Sequence, residues 1–298
     1  MKNLEMKQQL TEMLELDDRF IISNVVKNGY NIKSIRLSEC NSNIIPTLYI
    51  DDSINYDDSL TNIIDGLYDS LIKASNSTPD IANNLDSYLT KDFIFDNVKC
   101  FLSGKSDLNN NLLKSGTTIK ELDEILEYIY YINLSDNMKV NLNYEILEHA
   151  GINNKSDIAE IKMRALVKLA KEEVFIKNMA QVLCEMIPDM EFFDDEDEIP
   201  MYVLMNESGK YAAAHLKRKS LLNKFMKEHN MSRIAILPSS LHELIILNAN
   251  LNDDTSSLLN MVKEVNNNEV DIQDKLGDFC LLYDGNNFKV IKEESHEN

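Results

Sequence analysis

Two apolar runs, Ile234–Leu237 and Leu244–Leu247, stand on either side of a short polar knot containing Pro238, Ser239, Ser240, His242 and Glu243. Each run has four residues, too few for a helix, and they are rich in isoleucine and leucine. Continuous apolar runs of this length between turn residues read as strands buried on both faces. A buried strand must give each backbone N–H and C=O a partner. The chain between the runs therefore has to turn sharply while satisfying its own backbone groups, which puts a sheet core in the C-terminal third.

The knot is the one place in the chain where a hydroxyl pair, an imidazole and a carboxylate crowd together. Ser240-x-x-Glu243 has the spacing of a capping box, in which the two side chains satisfy free backbone donors, and His242 is placed to pin the turn. The same residues admit a hydrolase reading, with Ser239 or Ser240 as nucleophile, His242 as base and Glu243 as orienter. A triad, however, converges from separate segments and presents its nucleophile on a strained turn, commonly G-x-S-x-G. No glycine lies near the knot. The spacing favours a structural turn, and no catalytic residue is assigned.

Length and periodicity suggest the wider organisation. A chain of 298 residues suits more than one domain. Leu60, Ile63, Ile64, Leu67, Leu71 and Ile72 fall on one face of a helix. Asn31–Leu37 and Ile44–Ile50 read as a hairpin, and Tyr128–Asn133 as a strand returning through Lys139–Leu142. Asn143–His149, Asp157–Leu169 and Val174–Ile187 read as helices. Beyond them, Met201–Met205 and Tyr211–Ala214 read as strands, Leu216–His229 and Asp254–Val265 as helices, and Asp278–Tyr283 with Phe288–Ile291 as a terminal hairpin. The consecutive acids Asp194-Asp195-Glu196-Asp197-Glu198, followed by Pro200, repel one another and read as a solvated linker. The expected fold class is α+β, with small mixed or antiparallel sheets covered by helices in two or three lobes. The expected divisions are an N-terminal lobe at 1–120, a middle lobe at 121–190, the acidic linker at 191–200 and a C-terminal domain at 201–298.

Composition excludes several functions. The net charge of −20 argues against neutralising nucleic-acid phosphates. The cysteines, Cys40, Cys100, Cys184 and Cys280, form no C-x-x-C pair and suit reduced thiols in a cytosolic protein. The histidines show no H-x-x-x-H or H-E-x-x-H spacing, and the acidic tract lacks the D-x-D-x-D-G pattern that wraps calcium. The eight glycines form no phosphate-binding loop. No run approaches the ~18 apolar residues of a membrane span. No cofactor or metal is expected, and the expected compartment is the cytoplasm. Abundant Asn, Ile and Lys with no Trp suggest an AT-rich bacterial or mobile-element genome.

Several strings resemble one family. IIPTLYIDDSINYDDSLTNIIDGLYDSL, VKCFLSGKSDLNNNLLKSG, MYVLMNESGKYAAAHL, ILPSSLHELIIL and MVKEVNNNEV together resemble family 5688 of the domains of unknown function, across nearly the whole chain. The ILPSS-x-HE string is the most specific. Ser115-Gly116-Thr117 stands where that family usually has proline-histidine. The resemblance implies a mixed α/β fold and a cytoplasmic bacterial protein, and it implies no activity.

The functional expectation that follows is a non-enzymatic binding or interaction protein with a protein partner. Two alternatives stand beside it: an acidic decoy or inhibitor from a mobile element that acts on a nucleic-acid-binding protein, and an unrecognised hydrolase using Ser239 or Ser240 with His242.

Overall fold

The computed structural model describes residues 2–39, 45–50, 54, 58–77, 84–135, 138–186, 201–238, 240–249 and 255–293. Among them it is an α+β protein with three antiparallel sheets.

The N-terminal sheet is built on a hairpin. β1 (Phe20–Lys27) runs into β2 (Tyr30–Leu37) through Asn28-Gly29, both with positive φ. This is the backbone that a two-residue hairpin requires and that Asn-Gly supplies. β2 also pairs with β3 (Leu48–Tyr49). α1 (Lys2–Glu15) and α2 (Leu60–Ser77) bury Leu10, Leu14, Ile64 and Leu71 against Phe20, Ile35 and Leu37. The sequence pairs the second and third strands correctly but does not identify β1. Cys40 and the turn Asn41–Asn43 lie outside the described residues.

The middle sheet is centred on β6 (Leu126–Ser135), which is buried along most of its length. β4 (Lys99–Gly104) pairs along one side of it, and β5 (Lys114–Ser115) and β7 (Met138–Asn141) also pair with it. Helix α3 (Leu85–Tyr88), α4 (Lys91–Asn97), α5 (Lys120–Asp123), α6 (Tyr144–His149) and α7 (Lys155–Lys171) surround the sheet. The Asn143 and Asn154 side chains accept from Ile146 N–H and Asp157 N–H, capping α6 and α7. α7 buries Ile161, Ala165 and Leu169 along one stripe.

The largest sheet, which includes β8 (Val174–Asn178) and β9 (Met201–Asn206), has the order β13-β12-β10-β11-β9-β8. β10 (Ile234–Leu237) and β11 (Leu244–Asn248) are the two apolar runs of the sequence, paired Ile234 to Asn248 through Leu237 to Ile245. β12 (Cys280–Tyr283) and β13 (Phe288–Ile291) form the terminal hairpin. α9 (Lys219–Glu228) and α10 (Thr255–Asn268) pack against the sheet, which buries Cys280.

Three readings change. Val174–Asn178 is not helical but forms β8, and α8 (Met179–Met186) starts only after it. β8 pairs antiparallel with β9 (Met201–Asn206), from Val174 opposite Asn206 to Asn178 opposite Tyr202. A strand partner distant in sequence overrides local helix preference here. Tyr211–Ala214 is not a strand either. Tyr211 has φ +62° and leads into a 3-10 turn, Ala212–His215, whose four residues are buried. Finally, residues 187–200 lie outside the described residues, but the strands that bracket them belong to one sheet. A single buried cluster runs from Ile94 to Phe288. A boundary at 191–200 therefore does not divide two cores.

This sharing has a measurable consequence. A protease site inserted within 191–200 and cut is expected to give two fragments that co-elute on gel filtration and separate only in denaturant, because β8 and β9 hold them together. Separation of the fragments in native buffer would show that the pairing does not bear on stability.

Candidate functional site

The segment Lys210–Arg218 holds the middle sheet against the largest one. Tyr211 takes a left-handed backbone, uncommon for a bulky residue. The conformation is held by hydrogen bonds. Tyr211 N–H donates to His242 Nδ1 at 3.3 Å, and Ala212 N–H donates to the His242 carbonyl at 3.1 Å. Tyr128 Oη, from buried β6, donates to the Ala214 carbonyl at 2.8 Å. Arg218 donates to the carbonyls of Leu169, Ala170 and Glu172 at the end of α7.

These contacts place the polar knot. Ser239 lies outside the described residues. Ser240 is buried, and its Oγ accepts from His242 N–H at 3.1 Å and Glu243 N–H at 3.3 Å. Leu241 N–H donates to the Asp274 carbonyl at 2.9 Å. His242 Nε2 lies 3.5 Å from Asp274 Oδ1, in the 3-10 turn Ile272–Asp274. With Nδ1 accepting from a backbone amide, the hydrogen of the neutral ring sits on Nε2 and faces that carboxylate. The knot thus brings Ser240, His242 and Glu243 together around backbone groups, and both ring nitrogens of His242 face neighbours other than a serine.

The knot also supports something the sequence does not announce. The Tyr211 ring stacks on Phe101 of β4, with centroids 5.2 Å apart and planes at 29°, and lies 5.5 Å from Tyr131 of β6. Lys139 of β7 enters this group of rings, its Nζ 4.0 Å from the Phe101 centroid, 4.4 Å from that of Tyr211 and 5.2 Å from that of Tyr131. The cage opens into a cleft of about 290 Å³ that Lys99, Lys210, Asn133, Ser208 and Glu172 also line. Among the described residues, no oxygen accepts a hydrogen bond from the ammonium of Lys99, Lys139 or Lys210.

Electrostatics sharpen the picture. Burial, with the nearby Lys27 charge adding to it and Asp274 opposing it, pushes the Lys139 ammonium down to about 7. The three ring faces favour the charged form and partly offset the burial. Glu172 is held below the usual carboxylate range, first by its 3.0 Å hydrogen bond with His215 and then by the charges of His215, Lys99 and Arg218. It stays ionised, and His215 and Arg218 lie close to it. Cys100 also lines the cleft, but burial pushes its thiol up to about 12, so it is not a nucleophile at neutral pH.

A second cavity is more mixed in charge. A space of about 400 Å³ between α1, β2 and residues 267–275 mixes Lys7, Lys33 and Lys275 with Glu269 and Asp271. No group of three or more metal-ligating side chains gathers among the described residues.

Fold and site together define an antiparallel α+β protein with a lysine-lined cleft where two sheets meet. The chain belongs to the family of unknown function DUF5688, whose family model matches residues 3–285. Neither a curated protein nor a solved structure matches it. No helix among the described residues is long and apolar enough to cross a membrane.

Two outcomes test the local chemistry. Ser240→Ala removes the acceptor for two backbone amides and is expected to lower stability by roughly 1 kcal/mol, the usual cost of a lost cap, as read by urea denaturation. Lys139 makes a pH-dependent contribution. Between its native value of about 7 and the ordinary 10.5, the unfolded chain holds a proton that the native protein lacks, so unfolding free energy from this group rises with pH across that window. Lys139→Met is therefore expected to be more stable than the wild type at pH 6, with the gap closing towards pH 10. A gap that does not change with pH would mean that burial does not perturb this lysine.

Proposed function

We propose that the protein is a non-catalytic binding protein and that the cleft around Lys139 and Tyr211 is its recognition site. One observation carries the reading: an ammonium enclosed by three aromatic rings, with no oxygen acceptor among the described residues, facing an open cleft. Removing a charged group from water is costly unless something compensates it. The rings supply part of that compensation, and a bound ligand supplies the rest. The cleft is at the small end of the range of small-molecule sites, which favours a small ligand over the protein partner expected from the lack of catalytic, metal and phosphate motifs.

The alternatives have less support. A hydrolase built on the knot needs a serine facing His242, whereas the Ser240 hydroxyl is occupied by two backbone amides. An acidic decoy needs a patterned acidic face, and the acidic run itself lies outside the described residues.

The test uses Tyr211→Gly. Glycine suits the left-handed backbone at this position, so the variant removes the ring and hydroxyl while keeping the turn. Full-length wild type and variant would be purified side by side from the same host and denatured, and the released small molecules compared by mass spectrometry. A compound enriched with the wild type and lost from the variant is the expected result. Equal profiles from two well-folded proteins would overturn the assignment of the cleft.

A further inference from the structure

We propose that the cleft takes a small organic anion, a carboxylate or phosphate ester of metabolite size, with its charge held among the ammonium groups of Lys99, Lys139 and Lys210. The proposal rests on the reading of the cleft as the recognition site and adds the class of ligand.

The first argument is charge. The chain carries 50 acidic and 30 basic side chains, yet this cleft gathers three lysines and one carboxylate. Some lysines of the protein find carboxylates, as Lys91 finds Asp157 at 2.7 Å, Lys114 finds Glu127 at 3.1 Å and Lys177 finds Glu185 at 2.9 Å. Lys99, Lys139 and Lys210 form no ion pair with a carboxylate among the described residues, although the charge of Lys99 acts on Glu172 and that of Asp274 on Lys139. Glu172 is the exception in the lining, but it is hydrogen-bonded to His215, and Arg218 donates to its backbone carbonyl.

The three lysines come from different places. Lys99 begins β4, Lys139 lies within β7, and Lys210 lies on the exposed turn before Tyr211. Such an arrangement does not arise from the solvated face of one helix. It brings three segments to line one cleft, where charge-assisted contacts to a compact anion can form.

Size and surface then exclude other ligands. A cleft of about 290 Å³ has no room for a nucleic-acid strand, and the −20 charge of the whole protein repels a long polyanion. A cation would meet three like charges. A purely apolar ligand would bury these ammonium groups without a partner, which is unfavourable. Asn133 and Ser208 offer polar groups to the neutral part of a small anion, and Met138 offers an apolar contact.

The test is a titration of the intact protein followed by amide chemical shifts, with four probes on one skeleton: 3-phosphoglycerate, glycerate, glycerol 3-phosphate and glycerol. Binding of at least one of the three anions, with shifts centred on Lys139 and Tyr211 and none from glycerol, is expected. Glycerate and glycerol 3-phosphate separate a carboxylate requirement from a phosphate requirement. Lys139→Met should weaken the anion by about tenfold or more, the scale of one lost charge-assisted contact. Lys210→Met should weaken it in the same direction, and because Lys210 is exposed this variant gives a reading even if Lys139→Met fails to fold. Lys224→Met, on the solvent side of α9, should leave affinity unchanged. Failure of all three anions to bind, or binding that both lysine variants leave intact, would overturn the anion class. If a neutral compound is instead recovered with the wild type and lost from Tyr211→Gly, the cleft stands as the site and only the ligand class falls. Anion shifts that map elsewhere would overturn both.

Discussion

The structure depends on how the short segment Lys210–Arg218 satisfies its backbone while its middle, Ala212–Leu216, is buried between two sheets. A 3-10 turn of three alanines and a histidine has few side-chain contacts to offer, so it is held by groups from elsewhere. Tyr128 reaches it from β6, His242 from the knot, and Arg218 ties its end to α7. The alanines at 212–214 let β4 and β9 approach closely, because each is fully buried with only a methyl group to place. A larger side chain there would force the sheets apart, since packed cores take up added volume poorly. The continuous core from Ile94 to Phe288, and the cleft at its edge, both follow from that approach.

The N-terminal lobe is attached by different means. Its own apolar cluster is separate from the main core. It meets the rest through the tip of the β1–β2 hairpin, where Asn28 donates to the Lys275 carbonyl, the Asn28 amide oxygen accepts from Ser103, and Lys27 meets Gln273. These are polar contacts at a tight turn, made possible because Gly29 takes φ +82° close against Ser106. The hairpin tip also brings the Lys27 charge near Lys139, and Gln273 adjoins the Asp274 that faces His242. Hydrogen bonds at the hairpin tip thus set the lobe beside the cleft.

Much of the fold can be read from the sequence where the signal is local. The stripe in α2, the asparagine caps of α6 and α7, the paired runs 234–237 and 244–247, and the terminal hairpin all carry their own periodicity or turn chemistry. What escapes the sequence is decided at a distance. Val174–Asn178 becomes a strand because β9 offers an edge, and Tyr211–Ala214 becomes a 3-10 turn because two sheets close over it. The strand β1 carries a local signal in Asn28-Gly29, the turn that joins it to β2. The knot was recognisable as a place where polar groups converge, and its contacts with Tyr211 were not. The cage residues Phe101, Tyr131, Lys139 and Tyr211 come from four segments, share no spacing, and look individually like strand or core residues. No single-sequence pattern could have joined them.

A sequence that specifies one structure usually agrees with itself at every level, and departures from that agreement gather where something besides stability is being served. Two departures meet in this cleft. Tyr211 holds a backbone conformation that glycine or asparagine would adopt more readily, and Lys139 loses solvation without gaining an anion among the described residues. A single substitution would relieve either one, glycine the backbone of the first and methionine the buried charge of the second. The two are also linked, because the ring that the strained backbone positions is one of those that enclose the lysine. A folding requirement would explain a strained turn, or a buried lysine paired with a carboxylate. It does not explain a turn held out of its easier conformation by His242 so that its side chain can help enclose a charge that folding alone would rather leave in water.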